Sequence, residues 1–469
     1  MTAKPQSKSK NLYALYFVIL GAFIAVGIFT GIHHEPWADE AQSWLIARDT
    51  GLLSMFKAAS YEGTQPLWYF VIKFFQLFHL PYDYLFVIPL TVTAVGAVLL
   101  LFFTEISAVT KTLILTSFIT IYQSGVVARN YSLVFPCCML IAITYKNRIE
   151  KPLPYFAGLF LVAMTSSYGT IIAGSFMLAN FTEILYAILK KVKEQRKYVI
   201  SFFVCGLLIF AFTLLVLPPS DVGFSPGNSG KSIFRIITNI FLLYFDSEII
   251  NVIAFVILVV FFIWYCSLTK NTIKALLLAT PLLLYLFLFA GNSWHYTNYY
   301  FLILTVMIIF KPDFKELGKG KSCLIKTVII IVLCIQTALS INVVKLDYQG
   351  DYSGSEKAAL FISEYVEKGD DIYASDYFST ALQPYFDENI YVNHPGKSGY
   401  YFWSTNNGYN ISYDLKVITK TVGKEPDVIV TGLSEEVSFD GYKKNVFNGN
   451  LYYKNTAAKD STITVWVKE

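Results

Sequence analysis

The sequence has few charged residues, which make up 15% of its 469 positions, whereas hydrophobic residues make up 55%. The mean hydropathy is +0.50, which is too high for a water-soluble domain. The net charge is only +4, so the charge balance gives no indication of a nucleic-acid partner. Because one apolar run after another approaches the length of a membrane-spanning helix, the composition predicts a polytopic α-helical membrane protein.

Cysteine is also scarce, and its positions argue against two kinds of site. The six cysteines lie in or beside apolar runs without the spacing of metal ligands, so we interpret them as small buried hydrophobic residues. The hydrophilic C-terminal part has none and needs no disulfide bond. Internal repeats and low-complexity tracts are absent from the sequence as well. We therefore predict no metal centre and no disulfide framework.

The apolar runs are the dominant feature that is present. Candidate crossings lie at 12–32, 86–103, 112–128, 131–145, 154–167, 170–190, 198–217, 249–268, 273–290, 299–310 and 324–344. Two further apolar segments, 66–80 and 233–245, are short and are interrupted by Lys73 and Arg235. The first run follows a basic tail and lacks an obvious cleavage site, so it is expected to stay as an uncleaved helix.

Positive charge decides whether the two short segments cross. The strongly basic stretches are the N-terminal tail, 146–151, 190–197, 270–274 and 311–326. All five fall on the N-terminal side of the membrane if neither short segment crosses, as the positive-inside rule requires. The sequence thus predicts about eleven crossings, one or two interfacial or re-entrant helices, and a cytoplasmic N-terminus.

The composition changes at about residue 345, where apolar runs shorten and turn residues become frequent. Residues 356–366 have helical spacing, and short strands are predicted at 371–374, 390–392, 415–418, 427–431, 451–453 and 462–467. We therefore divide the chain into a transmembrane domain, 1–344, and a small extracytoplasmic α/β domain, 345–469. The transmembrane domain has a large first outer loop, 33–84, and a second outer loop at 218–232 is a candidate lid.

Charged residues in the predicted outer loops suggest a site at that membrane face. Asp39 and Glu40 are adjacent in the first loop, shortly after Glu35, and outer cations are found at Arg48, Lys57, Arg129 and His295. Transfer of a glycosyl group needs a carboxylate to take the acceptor's proton. It also needs cations to hold the departing phosphate, whose charge grows in the transition state.

Each of these residues has a simpler interpretation. The acidic pair could be solvated or could cap the helix that follows, and Arg129 could anchor a helix end by snorkelling. His295 could be an ordinary interfacial polar residue, and Lys57 could face water or lipid headgroups. The aromatic residues at 294–301 could form an interfacial belt.

The order of motifs along the chain carries a resemblance to a known family. EPWADEAQSWLIARD follows the first apolar helix, and EGTQPLWYF, ARNYSL, SSYG and WHYTNYY come after it in that order. This pattern resembles the integral-membrane glycosyltransferases of the GT-C superfamily over roughly residues 10–310. Within it, the chain looks most like the branch that holds protein O-mannosyltransferases and the lipid A aminoarabinose transferase.

The resemblance implies roles for particular residues. Asp39 would be the catalytic carboxylate with Glu40 beside it, and the other residues would line the lipid-side cavity: Gln65, Trp68, Tyr69, Arg129, Tyr131 and Tyr168. The chain departs from the family pattern with Thr64–Gln65 in place of His-Pro and with Ser166–Ser167–Tyr168 in place of Thr-His-Tyr. A metal is not generally required in this branch, although some superfamily members use a divalent ion at paired acids.

We accordingly predict an inverting glycosyltransferase of a prokaryotic cytoplasmic membrane. It would move one sugar from a polyprenyl-monophosphate sugar to a cell-wall polymer, lipid, glycan or protein on the outer face. Asp39 would act as the base, while Arg129, with Arg48, Lys57 or His295, would neutralise the phosphate. The alternatives are a flippase or transporter of polyprenyl-linked glycans and a glycan polymerase or ligase that uses polyprenyl diphosphate.

Overall fold

The computed structural model describes residues 10–192, 195–223, 248–289, 293–394, 396, 398–406, 411–432, 437–450 and 461–469. The predicted segment 233–245 and most of the candidate lid at 218–232 lie outside these ranges. The helices of the described part are α1 Lys10–Gly31, α2 Ala38–Asp49, α3 Ser54–Tyr61, α4 Leu67–Gln76, α5 Val87–Phe103, α6 Ala108–Thr116, α7 Tyr131–Thr144, α8 Pro152–Ala163, α9 Ser167–Leu189, α10 Arg196–Leu215, α11 Glu248–Ser267, α12 Thr272–Phe289, α13 Thr297–Ile309, α14 Lys319–Gln349, α15 Ser355–Lys368 and α16 Leu415–Val422.

Five helical stretches of the described part are long and apolar enough to cross a membrane. They are Lys10–Gly31, Tyr82–Phe103, Arg196–Leu215, Ile249–Ser267 and Lys319–Gln349. This agrees with a helical membrane protein, but it does not support the prediction of about eleven crossings. Helices α6, α7, α8 and α13 have only 9, 14, 12 and 13 residues. At most about 21 Å long, each is shorter than a hydrocarbon layer of about 30 Å.

The core of the helical part is built around α7. This helix packs against α5, α8 and α13, and its residues Val134, Phe135 and Cys138 are fully buried. Of the six cysteines, four are buried as expected, whereas Cys323 and Cys334 on α14 are exposed. The interpretation of every cysteine as a buried hydrophobic residue was therefore wrong for these two, which lie on the outer side of a long peripheral helix.

Helix α1 approaches the start of α5 closely through two glycines spaced four residues apart. A Cβ atom on Gly27 would overlap Leu90, and one on Gly31 would overlap the ring of Phe86. Small residues at this spacing let the side chains of one membrane helix pack directly against the backbone of the other. This contact positions the loop that follows Gly31, and the candidate site begins in that loop.

Ion pairs at the far end of α7 tie the basic stretches together. Glu183 on α9 contacts both Arg148, just after α7, and Lys274 on α12. The basic stretches 146–151 and 270–274 therefore meet at one end of the bundle. Arg129 lies just before α7 begins, so the candidate site is at the opposite end.

The residues after α14 form a four-stranded sheet with helices beside it. The strands are β1 Ile372–Ala374, β2 Val428–Gly432, β3 Tyr442–Phe447 and β4 Ile463–Lys468. Their order is β1-β2-β4-β3, with β1 and β2 parallel and the other pairs antiparallel. Ala38 at the start of α2 packs into the same apolar cluster as β1, β2 and β4, so the sheet unit is docked on α2.

The secondary structure of this part departs from the sequence-based prediction in several places. Residues 415–418 belong to a helix, because Asp414 caps its start and left-handed Gly423 ends it. Residues 390–392 make only an isolated bridge, and 451–453 lie outside the described residues. Strand β3 was not predicted, since its exposed lysines and asparagine hide the apolar alternation. Helix α14 continues to Gln349, five residues past the predicted domain boundary.

Replacing Gly31 with leucine tests the close approach of α1 and α5. We expect Gly31→Leu to destabilise the protein by about 1–3 kcal/mol, because the new side chain must displace the ring of Phe86. Thermal unfolding of the purified protein in detergent measures the change. Gly21→Leu on the same helix is the control, since no atom lies within 4 Å of a Cβ there. Equal melting temperatures for the two variants would contradict the packing.

Candidate active site

An ion pair between Asp39 and Arg129 forms the centre of the candidate site. The guanidinium Nη1 of Arg129 donates to the carboxylate Oδ2 of Asp39. Asp39 lies in the first turn of α2, and Arg129 lies in the turn before α7. About a fifth of each side chain is exposed. The structure thus brings together the acid and the cation that the sequence places 90 residues apart.

Glu40, the other member of the acidic pair, is buried and has a different set of contacts. Its Oε2 accepts from the backbone N–H of Trp37 at 3.2 Å, which satisfies a free donor at the start of α2. Its Oε1 accepts from the backbone N–H of Ala128 at 2.5 Å. Glu40 therefore joins α2 to the turn that carries Arg129. It positions these two elements and does not itself line the cavity.

A buried imidazole compensates the charge of Glu40. His34 Nε2 lies 3.2 Å from Glu40, and His34 Nδ1 lies 3.4 Å from Asp347 on α14. Burial favours the neutral ring, but the two carboxylates outweigh it and raise the pKa of His34 to about 10. The charged ring therefore holds the start of α2 against the last membrane helix at neutral pH.

A small cavity lies beside the guanidinium of Arg129. Its lining residues are Trp37, Gln123, Val127, Arg129, Tyr131, Trp294 and Tyr352. The indole Nε1 of Trp37 and the amide Oε1 of Gln123 are buried and have no hydrogen-bond partner within the described residues. Buried polar atoms are nearly always paired, so these two atoms and the guanidinium suit the cavity to a small polar group of about the size of a water molecule.

His295 and Tyr168, two other residues of the predicted site, lie near Tyr131, which lines the cavity. The ring of His295 is 6.1 Å from that of Tyr131, and its Nδ1 is 2.8 Å from the hydroxyl of Tyr168. Arg129 lies 5.9 Å from the Tyr131 ring. The starts of α7, α9 and α13 therefore meet at one end of the bundle. Tyr131 lies near both the ring of His295 and the guanidinium of Arg129.

The C-terminal part contributes a residue that the sequence did not reveal. The hydroxyl of Tyr377 donates to Asp39 Oδ1 at 2.9 Å, so both oxygens of Asp39 are engaged. Tyr377 begins a short 3₁₀ turn, Tyr377–Ala381. Asp376 fixes this turn by accepting from Phe378, at 2.9 Å, and from Gly432, at 2.7 Å. No sequence motif points to Tyr377, because the contact spans 338 residues.

Arg48 and Lys57 lie away from the ion pair. Arg48 pairs with Asp49 at 2.7 Å and donates to the carbonyl of Phe386 at 2.9 Å. The ammonium of Lys57 lies 5.9 Å from the ring centre of Phe402. Both contact the C-terminal part, because they are on the side of α2 and α3 that it covers, so the structure does not group them with Arg129 as phosphate ligands.

The predicted cavity-lining segment 65–69 divides between two environments. Gln65 is buried, and its Oε1 has no partner in the described part of the chain. Trp68 packs in an apolar cluster with Trp44 and Ile72. Burial raises the pKa of the Tyr69 hydroxyl, and the nearby charges of Glu62 and Asp39 raise it further, so Tyr69 lies close to these groups. Only part of this segment therefore faces the site.

Glu62 is a second carboxyl near Asp39 that the sequence analysis did not single out. It follows the last residue of α3, and its Oε1 accepts from the amide of Gln42 at 2.6 Å. Burial raises the pKa of Glu62 to about 7, and the charge of Asp39 adds to this effect. A carboxyl that titrates near neutrality beside an ion pair is typical of functional sites.

The geometry supports proton transfer and anion binding at one place. A carboxylate lies between a guanidinium and a phenol, a second carboxyl is close by, and a cavity with unpaired polar atoms opens beside them. Among the residues that the structure describes, no three His, Cys, Asp or Glu side chains are grouped as metal ligands. Searches of protein-family models, curated proteins and solved structures found no match to this chain.

The ionisation of Glu62 should make the stability of the protein depend on pH. Its pKa is higher in the folded protein than in the unfolded chain, so its contribution is complete below about pH 4.5 and is lost as pH rises through about 7. We expect Glu62→Gln to be more stable than the parent at pH 8 and close to it at pH 5. Melting temperatures across this range measure the difference. The exposed acid of the same loop supplies the control, Asp83→Asn; an identical pH profile for both variants would contradict the shift.

Proposed function

We propose that this protein is a membrane glycosyltransferase that uses a polyprenyl-monophosphate sugar as donor and inverts the anomeric centre. The observation that carries the proposal is the Asp39–Arg129 pair at the edge of a cavity with unpaired polar atoms. Transfer from a sugar phosphate needs a proton acceptor and an anion-binding group within reach of one anomeric carbon. The pair supplies both.

The reaction follows from these two groups. The acceptor hydroxyl loses its proton to Asp39 as its oxygen attacks the anomeric carbon from one face. The bond between that carbon and the phosphate oxygen breaks on the opposite face, and the electron pair stays on the polyprenyl phosphate. Arg129 binds the phosphate as its charge increases, as a guanidinium does well because its donors match phosphate geometry.

The ion pair also explains how the carboxylate becomes available. In the absence of a ligand, Arg129 is held by Asp39. A donor phosphate that binds the accessible part of the Arg129 guanidinium competes with Asp39 and frees its carboxylate to take the acceptor's proton. Tyr377 keeps the carboxylate oriented through Oδ1 during this exchange. His295 and Tyr168 belong to the donor side in this scheme.

The proposed setting is the outer face of a prokaryotic cytoplasmic membrane. The basic stretches that meet near Arg148 would face the cytoplasm, following the positive-inside rule. The end with Asp39 and the C-terminal part would then face outward. In this scheme the chain is a member of the GT-C superfamily.

The alternatives are a transporter of polyprenyl-linked glycans and a polymerase or ligase that uses a polyprenyl diphosphate. A transporter would be expected to carry ionisable groups at mid-membrane on broken helices. Here Asp39, Glu62 and Arg129 lie at the ends of helices, which favours the enzyme. A donor panel that includes diphosphates separates the two enzymatic hypotheses.

Removing the carboxylate tests the proposed base. We expect Asp39→Asn to lower turnover by roughly 100-fold or more, because general-base catalysis contributes at least that much. The measurement is the loss of donor from a panel of polyprenyl-phosphate sugars incubated with purified protein. Asp83→Asn is the matched control on the exposed side of the same loop, and an unchanged melting temperature shows that the variant folds. Normal turnover by Asp39→Asn would remove this residue from the mechanism.

Shortening the arginine tests donor binding separately. We expect Arg129→Ala to raise the donor KM at least tenfold, because a charge-assisted contact to phosphate is lost. Arg129→Lys keeps the charge but not the bidentate geometry, so its donor KM should lie between those of the parent and of Arg129→Ala. Initial rates at varied donor concentration provide the measurement. An unchanged donor KM in both variants would exclude the phosphate role.

A further inference from the structure

Three aromatic side chains of the C-terminal part lie together, and one of them, Tyr377, contacts Asp39. The ring of Tyr377 is 5.5 Å from that of Tyr401 and 5.0 Å from that of Trp403. Tyr401 and Trp403 are 4.7 Å apart. All three are half-buried, so part of their surface stays accessible. We call these three residues the aromatic platform.

The platform is fixed to the first outer loop by hydrogen bonds. The side chain of Gln42 on α2 accepts from the backbone N–H of Tyr401 at 2.7 Å and donates to its carbonyl at 2.6 Å. Asp49 at the end of α2 accepts from the backbone N–H of Gly399 at 2.5 Å. These contacts hold the backbone of the platform segment along α2, so the rings have a defined position relative to Asp39.

A second set of contacts holds the other end of the same segment. The carbonyl of Trp403 accepts from Gly223 at 3.1 Å. Ser404 donates to Asp221 at 2.6 Å, and the same carboxylate accepts from Tyr61 of α3 at 2.9 Å. The segment is therefore anchored on both sides of Trp403, which favours a preformed binding surface.

Asp39 separates two different environments. Its Oδ2 faces Arg129 and the small cavity lined by Trp37, Tyr131 and Trp294. Its Oδ1 faces Tyr377, the first residue of the platform. If the donor phosphate occupies the side of Arg129, the acceptor must approach the carboxylate from the side of the platform.

The chemistry of the platform matches a sugar ring. Aromatic faces carry partial negative charge and attract the weakly positive C–H groups on one face of a sugar. Glu62, whose Oε1 is held by Gln42, keeps its second carboxyl oxygen for a sugar hydroxyl. A mostly aromatic surface with a few polar groups that set orientation is typical of small-molecule sites.

We propose that the aromatic platform binds a sugar ring of the acceptor, so that the acceptor is a glycan rather than a protein or a plain lipid. This rests on the proposed function, because it assigns the donor to the Arg129 side of Asp39. Tyr401 and Trp403 bind the acceptor ring, and Tyr377 both contacts it and orients the carboxylate.

Binding of simple glycosides tests the platform without any transfer reaction. The full-length protein in nanodiscs is mixed, without donor, with the methyl glycosides of mannose, glucose, galactose and N-acetylglucosamine. Saturation-transfer NMR detects the bound rings. We expect at least one glycoside to bind and its affinity to fall about tenfold in Trp403→Ala, through loss of a stacking contact. Trp403→Phe retains a ring and should bind nearly as well as the parent.

Tyr365→Ala is the matched control, because Tyr365 is a half-buried aromatic residue of α15 in the same C-terminal part. It should bind glycosides like the parent. Equal affinity of Trp403→Ala and Tyr365→Ala, or no binding of any glycoside by the parent, would overturn the proposal. An unchanged melting temperature for Trp403→Ala confirms that its loss of binding is local.

Kinetics separate this proposal from the proposed function. With a donor that the enzyme consumes, Trp403→Ala should raise the acceptor KM and leave the donor KM unchanged, the opposite of Arg129→Ala. If the protein consumes a donor but no glycan acceptor increases the rate, the transferase proposal stands and the platform is not an acceptor site. Glycoside binding that depends on Trp403, without consumption of any donor, would support the sugar site and reject the transferase.

Discussion

The carboxylate of Asp39 is the point at which the membrane helices and the C-terminal part meet. Arg129 reaches it from the turn before α7, and Tyr377 reaches it from the other side, 338 residues along the chain. A charge-assisted contact and a phenol hydrogen bond together engage both of its oxygens. Each half of the chain therefore positions the same functional group, and the proposed site exists only when both are in place.

Helix α2 makes this arrangement possible because its different faces contact different parts of the protein. Glu40 points into the protein and binds the backbone at Ala128, which holds the helix to the bundle. Gln42 and Asp49 bind the backbone of the C-terminal segment on the outside. Residues one or two positions apart on a helix point in different directions. A single short helix can therefore connect the helical bundle to the C-terminal part, with Asp39 between them.

The general character of the fold could be predicted from the sequence, but the details of its helices could not. The hydropathy that predicts a membrane protein is a sum over many residues, and no single contact changes it. The length of each helix depends on local breaks, such as the end of α6 at Thr116 before the π-helical turn Ile119–Gln123. In the C-terminal part, Asp414 caps and Gly423 ends a helix that includes residues 415–418, which had been predicted as a strand.

The sequence alone determined that Asp39, Glu40 and Arg129 stand out, because charged residues beside apolar runs are costly to place without a reason. The sequence could not show that Asp39 is accessible and Glu40 is buried. Two adjacent residues of a helix come to lie in different environments only when the helix packs against the rest of the protein. Tertiary structure alone brought Tyr377, Glu62 and the aromatic platform to the same carboxylate. Their contacts join residues far apart in the chain, and hydrogen bonds of this kind have no periodicity that a linear pattern could reveal.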